Sequence, residues 1–133
     1  MKRVAVLLTV FNRIEKTLMC LNSLYSADIE GLDLTFKIFL TDDGSTDGTR
    51  ERILQEFPDK DIEILQGSGQ MFWNGGMINS WQAAVKEGGF DGYLWLNNDS
   101  IVFNNLWSEL LEADKYSLQN FNSGGIYVGS TTV

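Results

Sequence analysis

The sequence predicts an α/β fold with a mainly parallel sheet and helices on both faces. Three observations lead there. Short apolar runs rich in β-branched and aromatic residues alternate with amphipathic stretches along the chain, the pattern of repeated βαβ units. The first run is apolar throughout, as expected of a strand covered on both faces. Polar clusters follow three of the strands, at residues 9–13, 41–45 and 97–100, where ligands sit in such sheets.

Residues 4–10 (VAVLLTV) form the first strand. Ile14, Leu18, Leu21, Leu24 and Tyr25 recur at helical spacing, so residues 14–27 form a helix. Residues 36–41 read as the second strand, broken by Asp42-Asp43-Gly44-Ser45. Thr46 or Asp47 can cap a helix that runs to about Phe57, where Pro58 closes it. Residues 62–65 form a short third strand, and 67–76 a glycine-rich loop. A helix follows over 77–87, ended by Gly88-Gly89. Residues 93–96 are the fourth strand, 106–118 a helix, and 125–129 the start of a fifth strand. Trp81 and Trp107 stand at helical core positions, and Cys20 reads as packing.

Composition excludes whole classes of function. A chain of 133 residues suits a single domain. A hydrophobic content of 44% is ample for a packed core. No apolar run reaches membrane-spanning length, and no signal-peptide pattern opens the chain. One cysteine, Cys20, rules out an internal disulfide framework and suits a reducing compartment. A net charge of −8 argues against nucleic acid as partner, since that needs a basic footprint. Histidine is absent, which removes Ser-His-Asp and Cys-His catalysis and the usual zinc ligands. Chemistry must rest on carboxylates, amides, hydroxyls and a few basic groups.

Each polar cluster has a plain reading and a functional one. Asp42-Asp43-Gly44-Ser45 can be a turn with a helix cap; its paired carboxylates can also accept the N–H edge of a base. Asn97-Asn98-Asp99 can be an Asx turn, or an oxygen site for Mg²⁺ or Mn²⁺, which commonly bridge one or two carboxylates to phosphates. Asn12 can cap a helix and Arg13 can be a solvated charge, or both can face a ligand. The loop at 67–76 fails the GxGxxG pattern, because Phe72 stands at the last glycine, and it fails the P-loop pattern. It can still bring backbone close to a sugar or phosphate at a helix N-terminus.

Four blocks together resemble family-two glycosyltransferases of the GT-A, Rossmann-like fold. They are residues 4–13, LTDDGSTDGT (40–49), WNGGMINSWQAA (73–84) and YLWLNNDS (93–100). Their order and spacing match the nucleotide-sugar half of that family across nearly the whole chain. The GG-rich stretch is similar to that of members that transfer rhamnose and related deoxysugars. The resemblance implies that Thr9 and Phe11 frame a pyrimidine base and that Asn12 steadies their loop. It implies that Asp43 accepts the base N–H with Asp42 in support. Arg13, Gly75 and Asn98 join the nucleotide site, and Asp99 is the metal ligand. Two departures stand out: Asn98 replaces a common aspartate, and Val10 replaces a common proline.

The implied activity is metal-dependent, inverting transfer of a sugar from a UDP- or dTDP-sugar to a glycan or lipid-linked acceptor. A cytoplasmic location follows, including the inner face of the membrane. The expectation is a single donor-binding domain over 1–133, truncated, with the acceptor half and catalytic base beyond Val133. Such a chain alone would transfer weakly or not at all, so the alternative is a nucleotide-sugar-binding module. A receiver-like signalling domain would need a lysine after a late strand, where Gly129-Ser130-Thr131 stands instead. A nucleotidyltransferase would need a Gly-rich, basic phosphate loop near the first strand.

Overall fold

The computed structural model describes residues 2–129. The element order is β1 (Lys2–Val10), α1 (Ile14–Ser26), β2 (Leu34–Asp42), α2 (Thr49–Glu56), β3 (Ile62–Gln66), α3 (Phe72–Glu87), β4 (Gly92–Trp95) and α4 (Leu106–Phe121). The four strands form one parallel sheet in the order β3-β2-β1-β4. Leu7 of β1 sits in register between Phe39 of β2 and Trp95 of β4.

This order fixes where the helices lie. The chain steps from β1 to β2 to β3 in one direction, then crosses back over β1 to reach β4. Right-handed crossovers put helices on opposite faces when the direction reverses. The core accordingly divides in two. On one face Val6, Leu8, Ile38 and Leu40 pack with Leu18, Leu21 and Leu24 of α1, Ile53 of α2 and Trp107 of α4. On the other, Ala5, Leu7 and Phe39 meet Met77 and Ala84 of α3.

α3 starts five residues earlier than its sequence pattern suggests, so Gly75 and Gly76 lie inside its first turns. Glycine weakens a helix, and here close packing requires it. A Cβ on Gly76 would stand 2.0 Å from Thr9 Oγ1 and 2.7 Å from Thr9 Cβ. The helix therefore rides directly on the end of β1. Further along, Ser80 Oγ donates to the Leu8 carbonyl at 2.8 Å and lies 2.8 Å from Thr41 Oγ1. Asn79 Nδ2 also donates to Thr41 Oγ1.

Three other expectations change. Trp107 is fully buried as the sequence suggests, but Trp81 is 41% exposed: α3 packs over β1 and β2, and the Trp81 ring reaches out to Tyr93 and Trp95 of the edge strand β4. There Trp73, Trp95, Trp81 and Tyr93 form an aromatic row with centroid spacings of 6.3, 5.7 and 6.3 Å. α2 is capped by neither Thr46 nor Asp47: its N-cap is Gly48 in the left-handed region. Residues 125–129 form no strand, and Ser130 and Thr131 lie outside the described residues. No helix among the described residues is long and apolar enough to cross a membrane.

Candidate functional site

The sheet has one topological switch point, between β1 and β4, where the winding direction reverses. The crevice beyond the carboxyl ends of such strands is the ligand position in open α/β sheets. Residues 11–13 leave β1 on one side of it, and 96–100 leave β4 on the other.

The sequence-predicted residues divide into a buried frame and an open surface. Thr9, Asp42 and Asp43 are 8%, 6% and 5% exposed. Thr9 packs under Gly76. Asp42 Oδ1 accepts the Ser45 N–H at 3.0 Å, which closes the turn after β2. Asp43 does the most structural work. Its Oδ1 accepts the Gly69 N–H at 2.7 Å, and its Oδ2 accepts the Met71 and Phe72 N–H groups at 2.9 and 3.0 Å. These last two are free donors at the start of α3, which has no side-chain cap of its own. One carboxylate thus pins the glycine-rich loop and caps a helix from the turn just after β2. A carboxylate offers about four acceptor positions, of which these bonds take three. Gly67 fits the same packing, since a Cβ there would meet Asp43 Oδ1 at 2.6 Å.

Phe11, Asn12, Arg13, Asn98 and Asp99 form the open surface. Asn12 and Arg13 are both left-handed, with φ of 56° and 60°. Non-glycine residues rarely adopt this conformation, so neighbouring contacts must hold it. Asn12 N–H donates to Ser45 Oγ at 2.7 Å, and Asn12 Oδ1 accepts the Thr46 N–H at 2.8 Å. Asn12 therefore ties the first loop to the second and does not cap α1. The cap comes from Asp47, whose Oδ2 accepts the Ile14 N–H at 3.0 Å and whose Oδ1 accepts the Thr49 hydroxyl. Burial pulls the Asp47 carboxyl upward, but the Thr49 hydroxyl and backbone N–H groups outweigh it and hold it below the usual range.

Across the crevice, Arg13 Nη1 lies 3.9 Å from Asp99 Oδ2. The two line an open groove of about 580 Å³ with Ile14, Glu15, Lys16 and Asp47. Asn98 Nδ2 donates to Thr17 Oγ1 at 3.2 Å, leaving its carbonyl oxygen unclaimed by that bond. Trp73 Nε1–H donates to Asn97 Oδ1 at 3.0 Å, which joins α3 to the loop after β4. Gly75 is half-buried in the first turns of α3, against Met71.

Among the described residues no group of three metal-ligating side chains stands together. The donor set still suits a hard cation that is shared with phosphates. Such cations need only one or two carboxylates and keep several waters, and the half-exposed Asp99 supplies one at the open groove.

Sequence reasoning missed Ser45, Asp47, Thr17 and Trp73. Asp47 had a signal, as a cap residue, but it caps a helix that precedes it in the chain. The other three are set by tertiary contact alone.

The family model "Glycosyl transferase family 2" matches residues 5–130. No curated protein matches the chain. Among solved structures, S. aureus TarS 1-349 superposes with a TM-score of 0.67 at 20% identity, over 87% of this chain and 33% of that one. The same protein in complex with UDP-GlcNAc gives 0.66 at 20% identity, over 87% and 32%. Mannosyltransferase PcManGT from Pyrobaculum calidifontis, in complex with GDP-Man and Mn²⁺, gives 0.64 at 18% identity, over 83% and 31%. The chain thus spans about a third of the length of these structures, and at such identities the likeness shows the fold.

Proposed function

The chain belongs to glycosyl transferase family 2, and from that membership we propose that it holds a nucleotide-diphosphate sugar in the crevice between β1 and β4. The reaction it serves is transfer of the sugar to an acceptor hydroxyl on a glycan or lipid-linked molecule. The observation that carries this reading is the meeting of Arg13 and Asp99 across the switch point, a cation and a carboxylate at the position where this fold binds ligands.

The base of a UDP- or dTDP-sugar lies by Phe11, with its N–H toward the remaining acceptor position of Asp43. Asn12 fixes the first loop through its bonds to Ser45 and Thr46. Asp99, with the carbonyl oxygen of Asn98, would hold Mg²⁺ or Mn²⁺. When bound, that cation screens the diphosphate and stabilises the departing nucleoside diphosphate. Arg13 and the N-terminal turns of α3 at Gly75 face the phosphates. The acceptor hydroxyl attacks the anomeric carbon opposite the leaving group, so its configuration inverts. The general base is assigned to no residue of this chain. Supporting the reading, one structural neighbour is described in complex with UDP-GlcNAc and another with GDP-Man and Mn²⁺. We place the activity in the cytoplasm, at the membrane face where a lipid-linked acceptor is reached.

Calorimetric titration with UDP in Mn²⁺, then in chelator, tests the binding. Saturable, metal-dependent binding is expected, and its absence overturns the reading. Binding without sugar transfer to any acceptor would favour a nucleotide-sugar-binding module.

A further inference from the structure

We propose that Arg13 is the resident counter-cation of Asp99, holding that carboxylate until a divalent cation replaces it and then serving the donor's phosphates. The inference rests on the nucleotide-sugar reading above. It begins with the acids at the groove. Asp47 already accepts the Ile14 N–H and the Thr49 hydroxyl. Glu15 pairs with Arg52 at 3.4 Å. Asp99 is paired with Arg13 at 3.9 Å, and the two side chains are 68% and 49% exposed. An exposed pair at this separation is weak and readily exchanged, which a removable partner must be.

The backbone supports the assignment. Arg13 is left-handed directly after a left-handed Asn12, and strain of this kind gathers at functional sites when surrounding contacts enforce it. Here Ser45, Thr46 and Asp47 enforce it from the second loop. The guanidinium is thereby set across the crevice from Asp99, in a groove that Lys16 also lines. In a chain of net charge −8, a cation freed at that point is well placed for an incoming diphosphate, because guanidinium groups pair readily with phosphate oxygens.

Arg13→Gly removes the charge at a position whose backbone glycine adopts freely. Arg13→Lys keeps the charge. Mn²⁺ alone is titrated into each nucleotide-free protein, and UDP is then titrated at saturating Mn²⁺. Arg13→Gly should bind Mn²⁺ more tightly, by up to about fivefold, while UDP affinity falls about tenfold. Arg13→Lys, which keeps a cation but not the planar fork, should fall between wild type and Arg13→Gly in both. A purely structural role would not move the two affinities in opposite directions. Unchanged or weaker Mn²⁺ binding by Arg13→Gly overturns the proposal. If Asp99→Asn meanwhile abolishes Mn²⁺-dependent UDP binding, the metal site itself stands and only the exchange is wrong. If wild type and Asp99→Asn bind UDP alike with and without Mn²⁺, both ideas fall.

Discussion

Asp43 and Phe72 are joined by a 3.0 Å hydrogen bond that spans 29 residues of chain, with the carboxylate accepting the first backbone N–H of α3. The same group binds Gly69 and Met71. Asp43→Asn should therefore turn an amide N–H₂ toward at least one backbone donor. The expected loss is ~2–3 kcal/mol of stability, the cost of leaving buried polar groups unmatched. Urea unfolding measures it, and amide exchange at residues 69–72 should rise most. Retained protection there would remove Asp43 from this capping role.

Gly76→Ala should destabilise, against the helix-propensity gain of about 1 kcal/mol that alanine offers at an exposed site. The new Cβ would lie 2.7 Å from Thr9 Cβ, an atom fixed to the strand backbone. Overpacking of that kind costs ~1–3 kcal/mol. Thr9→Ala removes Oγ1, the nearest atom, and Cγ2 but leaves Cβ, and should rescue only part of the loss. Thermal unfolding of the two single variants and the double variant gives the coupling, and simple additivity would contradict the contact.

Much of this was legible in sequence and some of it was not. The strands could be read because apolar runs and β-branched residues report burial locally, and the polar clusters after β1, β2 and β4 marked the crevice. The first turns of α3 could not be read. Gly75 and Gly76 signal a loop, and the true cap, Asp43, stands in the turn after β2. Trp81 reads as core at its helical position, yet the open edge of β4 leaves it half-exposed. Asp47 looks like the cap of the helix after it and serves the one before. Each of these features is decided by a contact between distant segments.

Pyrimidine nucleoside diphosphates should bind more tightly than adenosine diphosphate. Uracil and thymine present an N–H to the remaining acceptor position of Asp43, whereas adenine presents a ring acceptor there. One lost charge-assisted bond corresponds to ~1.5–3 kcal/mol. A guanine nucleotide, also a donor at its ring N–H, is the natural second ligand. Calorimetry with UDP and ADP in Mn²⁺ decides the matter, and equal affinities would end the assignment of Asp43 to the base.

Asp99→Asn should lower nucleotide affinity at least about tenfold, or 1.4 kcal/mol, with the fold intact because asparagine suits the same turn. Asn98→Asp should tighten metal binding by adding a second carboxylate. Its bond to Thr17 survives, since the Thr17 hydroxyl can reverse and donate. Titrations of both variants with Mn²⁺ and with chelator check this. Indifference to chelator and to Asp99→Asn would return the stretch to a simple turn.

Stability should fall in acid through Glu87. Hydrogen bonds from Lys37 at 2.6 Å and Arg3 at 2.9 Å hold its carboxyl below the usual range, Lys37 contributing most. A depressed carboxyl contributes fully above its unfolded value of about 4.3 and loses that contribution as pH falls through its lower folded value. Glu87→Gln should flatten this part of the urea-midpoint profile between about pH 5 and 3. An unchanged slope would show that other carboxylates govern the acid limb.

The bond between Trp73 and Asn97 has a spectroscopic consequence. Three of the four tryptophans, Trp73, Trp95 and Trp81, share one half-exposed row, while Trp107 is fully buried. Their rings stand close enough for excitation to pass among them, and the row ends at the side chain that precedes Asn98 and Asp99. The exposed row should therefore emit to the red of the buried Trp107, and its part of the signal is joined to the crevice through Asn97. A paramagnetic Mn²⁺ or a nucleotide base arriving there would quench the first and spare the second, so occupancy can be followed in unlabelled protein by the colour of its own light.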